Sequence, residues 1–382
     1  MADDPNAQPA IRLTGLFPWL RLVSAVSRAA DPKRLVLAAL GLLLLHLGWS
    51  GIDRLAPRSG AIPVRAFPAV SRFPDGMDSL PRRMAEPVLV VVGPFLDVFS
   101  ARSDGRTFLR SLATGVWSVI VWGLLGGAIA RIAMVQVARA EGVGLFEAIR
   151  FAARKWVALL SAPLSPIIGV MFFAALCALF GLLYRLPAPV GPTIAGALAF
   201  LPMMFGLTMA LILIGLAVGW PLMPTSVAAE SQDGFDALSR SYAYVHQRPV
   251  AYAAYWGLAW GLGIGGLAFV QLFARAVLGL TEWGLSFSAP GAPLAAYFGL
   301  GDHADIIPIG GTAATFHGFW LAAVALLAHA WIYSYFWTAA STIYLLLRRD
   351  VDGTPWHDVA REDRAVPKPE PVEKPAPVQE DV

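Results

Sequence analysis

Six long runs of apolar residues, separated by polar connections, constrain this chain more than any other feature. An α-helix needs about 20 apolar residues to cross the hydrocarbon core of a bilayer, and it satisfies all its backbone hydrogen bonds internally. The sequence therefore predicts an all-α fold, a polytopic α-helical integral membrane protein with about six transmembrane helices. The predicted spans are 35–52, 112–137, 157–183, 193–220, 251–280 and 313–347.

The composition agrees with a membrane environment. Hydrophobic residues make up 57% of the chain and charged residues only 14%, against about 25% charged residues in a soluble domain. The net charge is +3, but the basic residues lie between the apolar runs and not along one face. We therefore expect no nucleic-acid partner, and we read these charges as topology signals.

The distribution of Lys and Arg predicts the orientation in the membrane. Residues 138–156 carry four basic residues, whereas residues 281–312 carry none. Because basic loops stay in the cytoplasm, both termini are predicted to be cytoplasmic, in a multi-pass protein of the bacterial inner (plasma) membrane. The nine arginines of residues 53–111 do not fit this orientation, but the rule applies to short loops, and a connection of about 60 residues is at the upper length for which it holds.

Three regions follow from these predictions. Residues 1–34 form a cytoplasmic amphipathic segment, residues 35–348 the transmembrane domain, and the charged, proline-rich residues 349–382 a disordered cytoplasmic tail. The extracytoplasmic connection 53–111 lies inside the second region. Its apolar run 87–99 is too short to span a bilayer, so we expect an interfacial or re-entrant segment.

Two connections between spans share a local pattern. Each copy lies after one span and before the next, and the two units have the same orientation, which predicts a parallel internal repeat of two-helix hairpins joined by cytoplasmic amphipathic helices. In the second copy Asp233 is expected to cap the helix, with Tyr242 facing lipid. The pattern Ala140-Glu141 with Phe146-Glu147-Ala148-Ile149 recurs as Ala229-Glu230 with Phe235-Asp236-Ala237-Leu238, every match offset by 89 residues.

The second copy, together with the sequence after the last span, carries a resemblance. Residues 229–249 and Ile343-Tyr344-Leu345-Leu346-Leu347-Arg348-Arg349-Asp350-Val351-Asp352-Gly353 resemble an uncharacterised family of bacterial multispan membrane proteins. They are also distantly similar to the membrane domain of some glycerophosphodiester phosphodiesterases. The resemblance covers roughly 112–353 and implies a helical membrane bundle. It transfers no catalytic residue, because the soluble phosphodiesterase domain has no counterpart in this chain.

Glycines at four-residue spacing predict close helix packing on three spans. Small residues at this spacing let helix backbones approach each other in lipid. Packing within the chain is favoured over dimerisation, because six helices offer many internal partners. These helix-packing glycines are Gly123 and Gly127, Gly215 and Gly219, and Gly257, Gly261 and Gly265.

Two histidines are candidates for an intramembrane polar site. His46 lies in the first predicted span and His329 in the sixth, where Tyr333 and Trp337 follow at steps of four residues. A histidine facing the bundle interior can relay protons or bind a ligand, or it can make one interhelical hydrogen bond worth about 0.6 kcal/mol. No acid lies deep in a predicted span, which argues against a proton- or sodium-coupled transporter.

No catalytic, metal or cofactor motif is recognised, so the chain is predicted not to be an enzyme and to carry no cofactor. The leading hypothesis is a scaffold or docking component of a membrane assembly, which binds the lipid bilayer and a protein partner at the cytoplasmic face. The same helices can also simply anchor the hairpins at the membrane surface. The alternative is a channel or an uncoupled transporter of a small solute or lipid. The candidate docking residues are Glu141, Phe146, Glu147, Glu230, Phe235, Asp236 and Arg240.

Overall fold

The computed structural model describes residues 17–55, 79–98, 105–288 and 312–360, which are helical and contain no strand within these ranges. Two 3-10 turns, Pro18–Leu22 and Leu182–Arg185, accompany the α-helices. The helices of the described ranges are α1 (Val23–Arg28), α2 (Pro32–Leu55), α3 (Leu80–Met84), α4 (Glu86–Val98), α5 (Gly105–Arg139), α6 (Leu145–Arg154), α7 (Trp156–Gly181), α8 (Val190–Ala197), α9 (Phe200–Gly219), α10 (Leu222–Glu230), α11 (Gly234–Gln247), α12 (Pro249–Ser286) and α13 (Thr312–Asp352).

Six of these helices are long and apolar enough to cross a membrane, which confirms the predicted fold class. They are α2, α5, α7, α9, α12 and α13. Helix α5 is the central one, since 83% of its most apolar window is buried inside the protein. The corresponding window of α9 is 0% buried, so α9 lies at the periphery of the described bundle.

The centre of the bundle is the contact between α5 and α13, which run in the same direction. Trp122 stacks on Tyr333 with ring centroids 4.3 Å apart, and one turn further Gly126 faces Trp337. A Cβ atom on Gly126 would lie 2.3 Å from the Trp337 ring, so only glycine permits this approach. The next turn continues the register, because the Ser341 hydroxyl lies 3.5 Å from the Ala130 carbonyl oxygen.

Charged side chains form two layers at opposite ends of the bundle. The end that carries Arg34 and Arg131 is called the basic end below. At the opposite, distal end, Arg110 Nε donates to Asp53 Oδ1 at 2.8 Å. Arg34 and Asp53 are 19 residues apart in α2, a rise of roughly 28 Å, and the hydrocarbon core of a bilayer is about 30 Å thick. The bilayer core therefore fits between the two layers.

The short apolar run of the long connection lies inside the bundle. It forms α4, which packs along α5 with Phe95 against Gly115, where an added Cβ atom would lie 2.8 Å from the Phe95 ring. The preceding helix α3 brings the Met84 side chain against Gly263 of α12, which the Tyr335 ring of α13 also contacts. The interior position of α4 favours the re-entrant expectation over the interfacial one, and we use the name re-entrant segment for residues 80–98.

The structure differs from two predictions, the surface position of the N-terminal segment and the start of the C-terminal tail. Leu22 and Ala25 of the N-terminal segment are buried, so within the described residues this segment packs into the bundle. The predicted tail does not begin at 349, because α13 continues to Asp352 and the following residues pack back onto the basic end. There the Ala360 amide donates to the Ala229 carbonyl at 2.8 Å. The remainder of the tail, 361–382, lies outside the described residues, as do 1–16, 56–78 and 99–104.

Candidate functional site

A carboxylate, an imidazole and a phenol meet inside the bundle, and we refer to them as the Glu86 cluster. The His329 Nε2–H group donates to Glu86 Oε1 at 2.9 Å, and the Tyr333 hydroxyl donates to the same oxygen at 3.5 Å. His329 is 9% exposed and Tyr333 1%, whereas the Glu86 side chain is 30% exposed. The cluster is therefore buried on the side of α13 and accessible at the carboxylate.

The local sequence explains how each partner is held. Pro81 and Pro87 stand near the starts of α3 and α4, where proline fits the first turn of a helix. Glu86 occupies the first turn of α4, where the helix dipole stabilises a negative charge. On α13, His329 and Tyr333 are four residues apart and so share one face, with their rings stacked at a centroid distance of 5.8 Å.

The cluster lies near mid-depth of the bundle. Tyr333 stacks on Trp122, and Trp122 is 12 residues from Arg110 and 9 from Arg131 along α5. These separations correspond to rises of roughly 18 Å and 13 Å. The Glu86 carboxylate is therefore close to halfway between the two polar layers, at the depth where an ionisable group is most costly in lipid.

The polar capacity of the Glu86 cluster is only partly used. The His329 Nδ1 atom is buried and has no hydrogen-bond partner among the described residues. Both hydrogen bonds to Glu86 fall on Oε1, which leaves Oε2 without a partner in the described part of the chain. Arg83, one turn before Glu86, adds positive charge to this site through its interaction with Tyr333.

Sequence reasoning found His329 and Tyr333 but missed Glu86. The predicted spans contain no acid deep inside, as expected. Glu86 was missed because it lies in the re-entrant connection, which brings it to mid-depth. The available signal was position, because Glu86 directly precedes the apolar run of α4. The argument against coupled transport that rested on the missing acid is therefore wrong.

An apolar cavity of about 440 Å³ lies between α12, α13 and the segment that contains Ala85 and Val88. Ala85 and Val88 of the re-entrant segment form one wall, while Trp256 and Trp260 of α12 and Tyr335 of α13 form the others. The lining includes Ala85, the residue before Glu86, but it does not include Glu86, His329 or Tyr333. The other candidate histidine, His46, has its Nε2 atom 3.4 Å from the Ser50 hydroxyl one turn along α2.

A second polar cluster occupies the basic end and contains two residues predicted to dock a partner. Glu230 lies 2.8 Å from Arg240 and 3.2 Å from Arg348 Nε, and it accepts a hydrogen bond of 2.7 Å from the Tyr344 hydroxyl. The Arg348 contact is an ion pair whose Nε–H does not have hydrogen-bond geometry. With its side chain only 10% exposed, Glu230 serves the interior of the protein and not a partner surface.

Arg240 and its neighbours extend this cluster. The Arg240 side chain is 43% exposed and also lies 4.0 Å from Asp352. Burial alone would lower the pKa of Arg240, but Glu230, followed by Tyr244 and Tyr344, raises it overall. Burial, and then the hydrogen bond to Asp352, raise the pKa of Tyr244 well above its ordinary value.

The chain after α13 is tied to the same end by arginines. Arg131 donates to the carbonyls of Ala228 and Ala360 at 2.8 and 2.9 Å, and Arg139 donates to the carbonyls of His357 and Val359. Arginine can serve several acceptors at once because its guanidinium carries five donors. Val359 is 2% exposed, so the residues that follow α13, 353–360, are an integral part of the fold.

The connecting helices α6 and α11 expose the predicted phenylalanines. Phe146 is 80% exposed and Phe235 76%, and each is the second residue of its helix. Asp233 caps α11 as predicted, since its carboxylate accepts from the Asp236 amide at 2.9 Å.

The acidic candidates of these connections have local or solvent-facing positions. Glu147 accepts from the Gly144 amide at 3.2 Å at the start of α6. The side chains of Glu141 and Asp236 are exposed. Tyr242 does not face lipid but is half-buried against α9.

The three glycine groups meet different surroundings. Gly123 and Gly127 receive Leu159 and Leu160 of α7, which is the expected packing between spans. Gly215 and Gly219 pack against the Tyr242 ring of the connecting helix α11 instead of another span. Around Gly257, Gly261 and Gly265, no described atom lies within 4 Å of an added Cβ, so these three do not pack against the described part of the chain.

Comparison with protein-family models, with curated protein sequences and with solved structures finds no match to this chain. The resemblance to glycerophosphodiester phosphodiesterase membrane domains therefore stays a prediction. In the described ranges no group of three or more His, Cys, Asp or Glu residues has the arrangement of a metal site.

Proposed function

We propose that this protein is a membrane transporter that binds a small amphipathic amine at the Glu86 cluster. The observation that carries the proposal is the Glu86 carboxylate, 2.9 Å from His329 at mid-depth of the bundle. Ionisable groups at this depth are costly in lipid and are retained chiefly for function. The combination of a carboxylate with an aromatic, apolar cavity suits a solute with a cationic nitrogen and an apolar body.

The re-entrant position of Glu86 supports this proposal. Transporter sites at mid-depth are typically built where an interrupted helix presents its terminus to the substrate. Glu86 stands at the start of the short helix α4, and its Oε2 atom, which has no hydrogen-bond partner among the described residues, can accept from a bound ammonium group. The Nδ1 atom of His329, which has no hydrogen-bond partner in the part of the chain that the structure describes, can take a second hydrogen bond or a proton.

The test uses the full chain reconstituted in lipid vesicles that contain the pH-sensitive dye pyranine. Benzylamine is the first probe, and tetraphenylphosphonium, a cation without a proton, is the second. Benzylamine flux is followed through the lumenal pH, and tetraphenylphosphonium uptake is followed with radiolabelled probe. We expect protein-dependent flux of benzylamine that falls at least about tenfold in Glu86→Gln and His329→Ala, since one ion pair in a low-dielectric site is worth more than about 1.4 kcal/mol. Glu141→Gln, an exposed carboxylate on a connection, is the matched control.

Two results would contradict the proposal. Absence of flux for both probes in the parent protein would remove transport of this solute class. Equal flux in Glu86→Gln and the parent would remove the site.

A second candidate function is a docking platform at the cytoplasmic face, favoured by the exposure of Phe146 and Phe235 (80% and 76%). The two helices that carry them begin 89 residues apart, at Leu145 and Gly234, which is the offset of the proposed repeat. Paired apolar side chains on anchored helices suit a partner that binds both at once. The cytoplasmic, inner-membrane placement of this face remains part of the proposal.

This second candidate is tested by affinity purification in mild detergent with mass spectrometry. Phe146→Glu with Phe235→Glu should release a stoichiometric partner, while Phe287→Glu, an equally exposed phenylalanine (71%) at the end of α12, should retain it. Recovery of the parent chain without any stoichiometric protein would overturn the docking platform and leave the two phenylalanines as membrane anchors.

A further inference from the structure

We propose that the Glu86 cluster exchanges its solute for one proton, so that each cation bound at Glu86 displaces a proton from His329. This exchange rests on the proposed function and adds the ion that moves in the opposite direction. The observation that carries it is the sharing of a single carboxylate. The His329 Nε2–H group already donates to Glu86 Oε1 at 2.9 Å, and a solute cation would use the same negative charge.

The two ring nitrogens of His329 have different roles in this geometry. Nε2 makes the hydrogen bond to Glu86, whereas Nδ1 is buried and has no hydrogen-bond partner among the described residues. The hydrogen bond at one ring nitrogen determines which nitrogen gains or loses the proton. Nδ1 is therefore the atom that titrates. With a proton on Nδ1 the ring is an imidazolium, and without it the ring is the neutral tautomer that still donates from Nε2 to Glu86.

The net charge of the site is the same before and after the exchange. In the empty site the His329 imidazolium faces the Glu86 carboxylate. When an ammonium group binds at Oε2, two cations would share one carboxylate, and like charges this close disfavour each other. His329 then gives its Nδ1 proton to water, and the bound ammonium replaces that positive charge. One proton leaves for each cation that binds, at the depth where a charge imbalance is most costly.

The other charged and titratable groups at the site agree with this direction of exchange. Arg83, on α3 one turn before Glu86, adds positive charge through its interaction with Tyr333, which makes a further cation at the carboxylate less favourable. The Tyr333 hydroxyl donates to Glu86 Oε1 at 3.5 Å, so it supports the carboxylate on the same oxygen as His329.

The helices packed around the cluster present uncharged groups to it. On α5 the facing side chain is Trp122, which stacks on Tyr333, and α12 meets the re-entrant segment at Gly263, against Met84. Helix α2 carries the other histidine of a described span, His46, with its Nε2 atom 3.4 Å from the Ser50 hydroxyl. His46 is therefore the natural comparison for His329.

The first experiment counts the protons released when benzylamine binds to the full chain in detergent micelles. Isothermal titration calorimetry in two buffers of different ionisation enthalpy gives this number per bound amine. We expect about one proton at about pH 5 and none at about pH 8, because an imidazole titrates within this range and has already lost its proton at the alkaline end. The Kd should rise about tenfold for each pH unit below the midpoint, since protons and solute then compete for the site.

Variants of the two histidines assign the proton. His329→Gln keeps an N–H donor for Glu86 but has no titratable nitrogen, so benzylamine binding should release no proton and its Kd should not depend on pH. His46→Gln should release protons as the parent does. A measurement on the parent alone does not depend on either variant. In nitrogen NMR spectra of histidine-labelled protein at about pH 5, benzylamine should convert one imidazolium to the neutral Nε2–H tautomer.

The possible results separate the exchange from the solute site. If the parent binds no benzylamine at any pH, the proposed function is removed and the exchange with it. Binding without proton release and without a change in the histidine spectrum would overturn the exchange and leave the amine site in place. Proton release that persists in His329→Gln, or that is lost equally in His46→Gln, would also overturn it, because the proton would then come from the amine or from another group.

Discussion

Removal of the Glu230 carboxylate is the perturbation that most directly separates an internal role from a docking role. In the structure Glu230 faces Arg348 at 3.2 Å and Arg240 at 2.8 Å, with both Glu230 and Arg348 about nine-tenths buried. Loss of one partner from a buried ion pair costs about 3–5 kcal/mol, because the remaining charge is left uncompensated. We therefore expect Glu230→Ala to lower the free energy of unfolding by several kcal/mol.

The surroundings place the expected cost near the lower limit of that range. Arg348 retains the Asp358 carbonyl and, at 3.5 Å, the Asp358 carboxylate. Arg240 is 43% exposed and can turn toward solvent or Asp352. A cost of about 3 kcal/mol is the resulting estimate, whereas Arg240→Ala, at an exposed pair, should cost only about 0.2–1 kcal/mol.

The assay is reversible unfolding in mixed micelles, analysed as a double-mutant cycle. The coupling energy between Glu230 and Arg348 should exceed that between Glu230 and Arg240, because the first pair is screened less by solvent. Asp236→Ala, which removes an exposed carboxylate from α11, serves as control. Equal coupling for both pairs, or a Glu230→Ala variant within about 0.5 kcal/mol of the parent, would refute the reasoning.

Three further predictions follow from single contacts. Gly126→Ala should destabilise by about 1–3 kcal/mol through overpacking against Trp337, whereas Gly257→Ala, with no described atom within 4 Å of its Cβ, should be neutral or stabilising in the same unfolding assay. Asp233→Ala should cost about 0.5–2 kcal/mol because α11 loses its cap, measured as faster amide exchange at its first turn. The pKa of Tyr244 is raised in the folded state, so the contribution of Tyr244 to the free energy of unfolding should be fully present below about pH 10 and lost as the pH rises above it. The difference in stability between the parent and Tyr244→Phe should therefore change only under alkaline conditions.

The six spans and the start of α11 were predictable because the signals that specify them are local. Apolar length alone decides whether a helix can cross lipid, and Asp233 caps the helix that begins directly after it. The Glu86 cluster was not predictable in the same way, since Glu86 and His329 are 243 residues apart. The depth of α3 and α4 depends on the packing of Met84 against Gly263 and of Phe95 against Gly115, and no periodicity in the sequence predicts these contacts.

The glycine groups show the same limit. All three share the four-residue spacing, yet the spacing specifies only that one helix face is smooth. What covers that face depends on the volume of residues elsewhere, such as Leu159 opposite Gly127 or the Tyr242 ring opposite Gly219. The face of Gly261 has no cover among the described residues, so identical spacing produced a helix contact, a contact with a connecting helix and an open groove.

The contrast between the carboxylates of Glu230 and Glu86 supports the proposal that Glu86 is the one with a functional role. Glu230 is 10% exposed and its two oxygens are divided among Arg240, Arg348 and Tyr344, an arrangement that satisfies the charge and leaves no capacity for a ligand. Glu86 is 30% exposed and has both of its contacts on Oε1. Satisfied buried networks rigidify a fold, whereas incompletely satisfied polar groups cost stability unless something else occupies them. Glu230 therefore belongs to the architecture of the basic end, whereas Glu86, whose Oε2 atom has no hydrogen-bond partner among the described residues, is the carboxylate that we propose binds the solute.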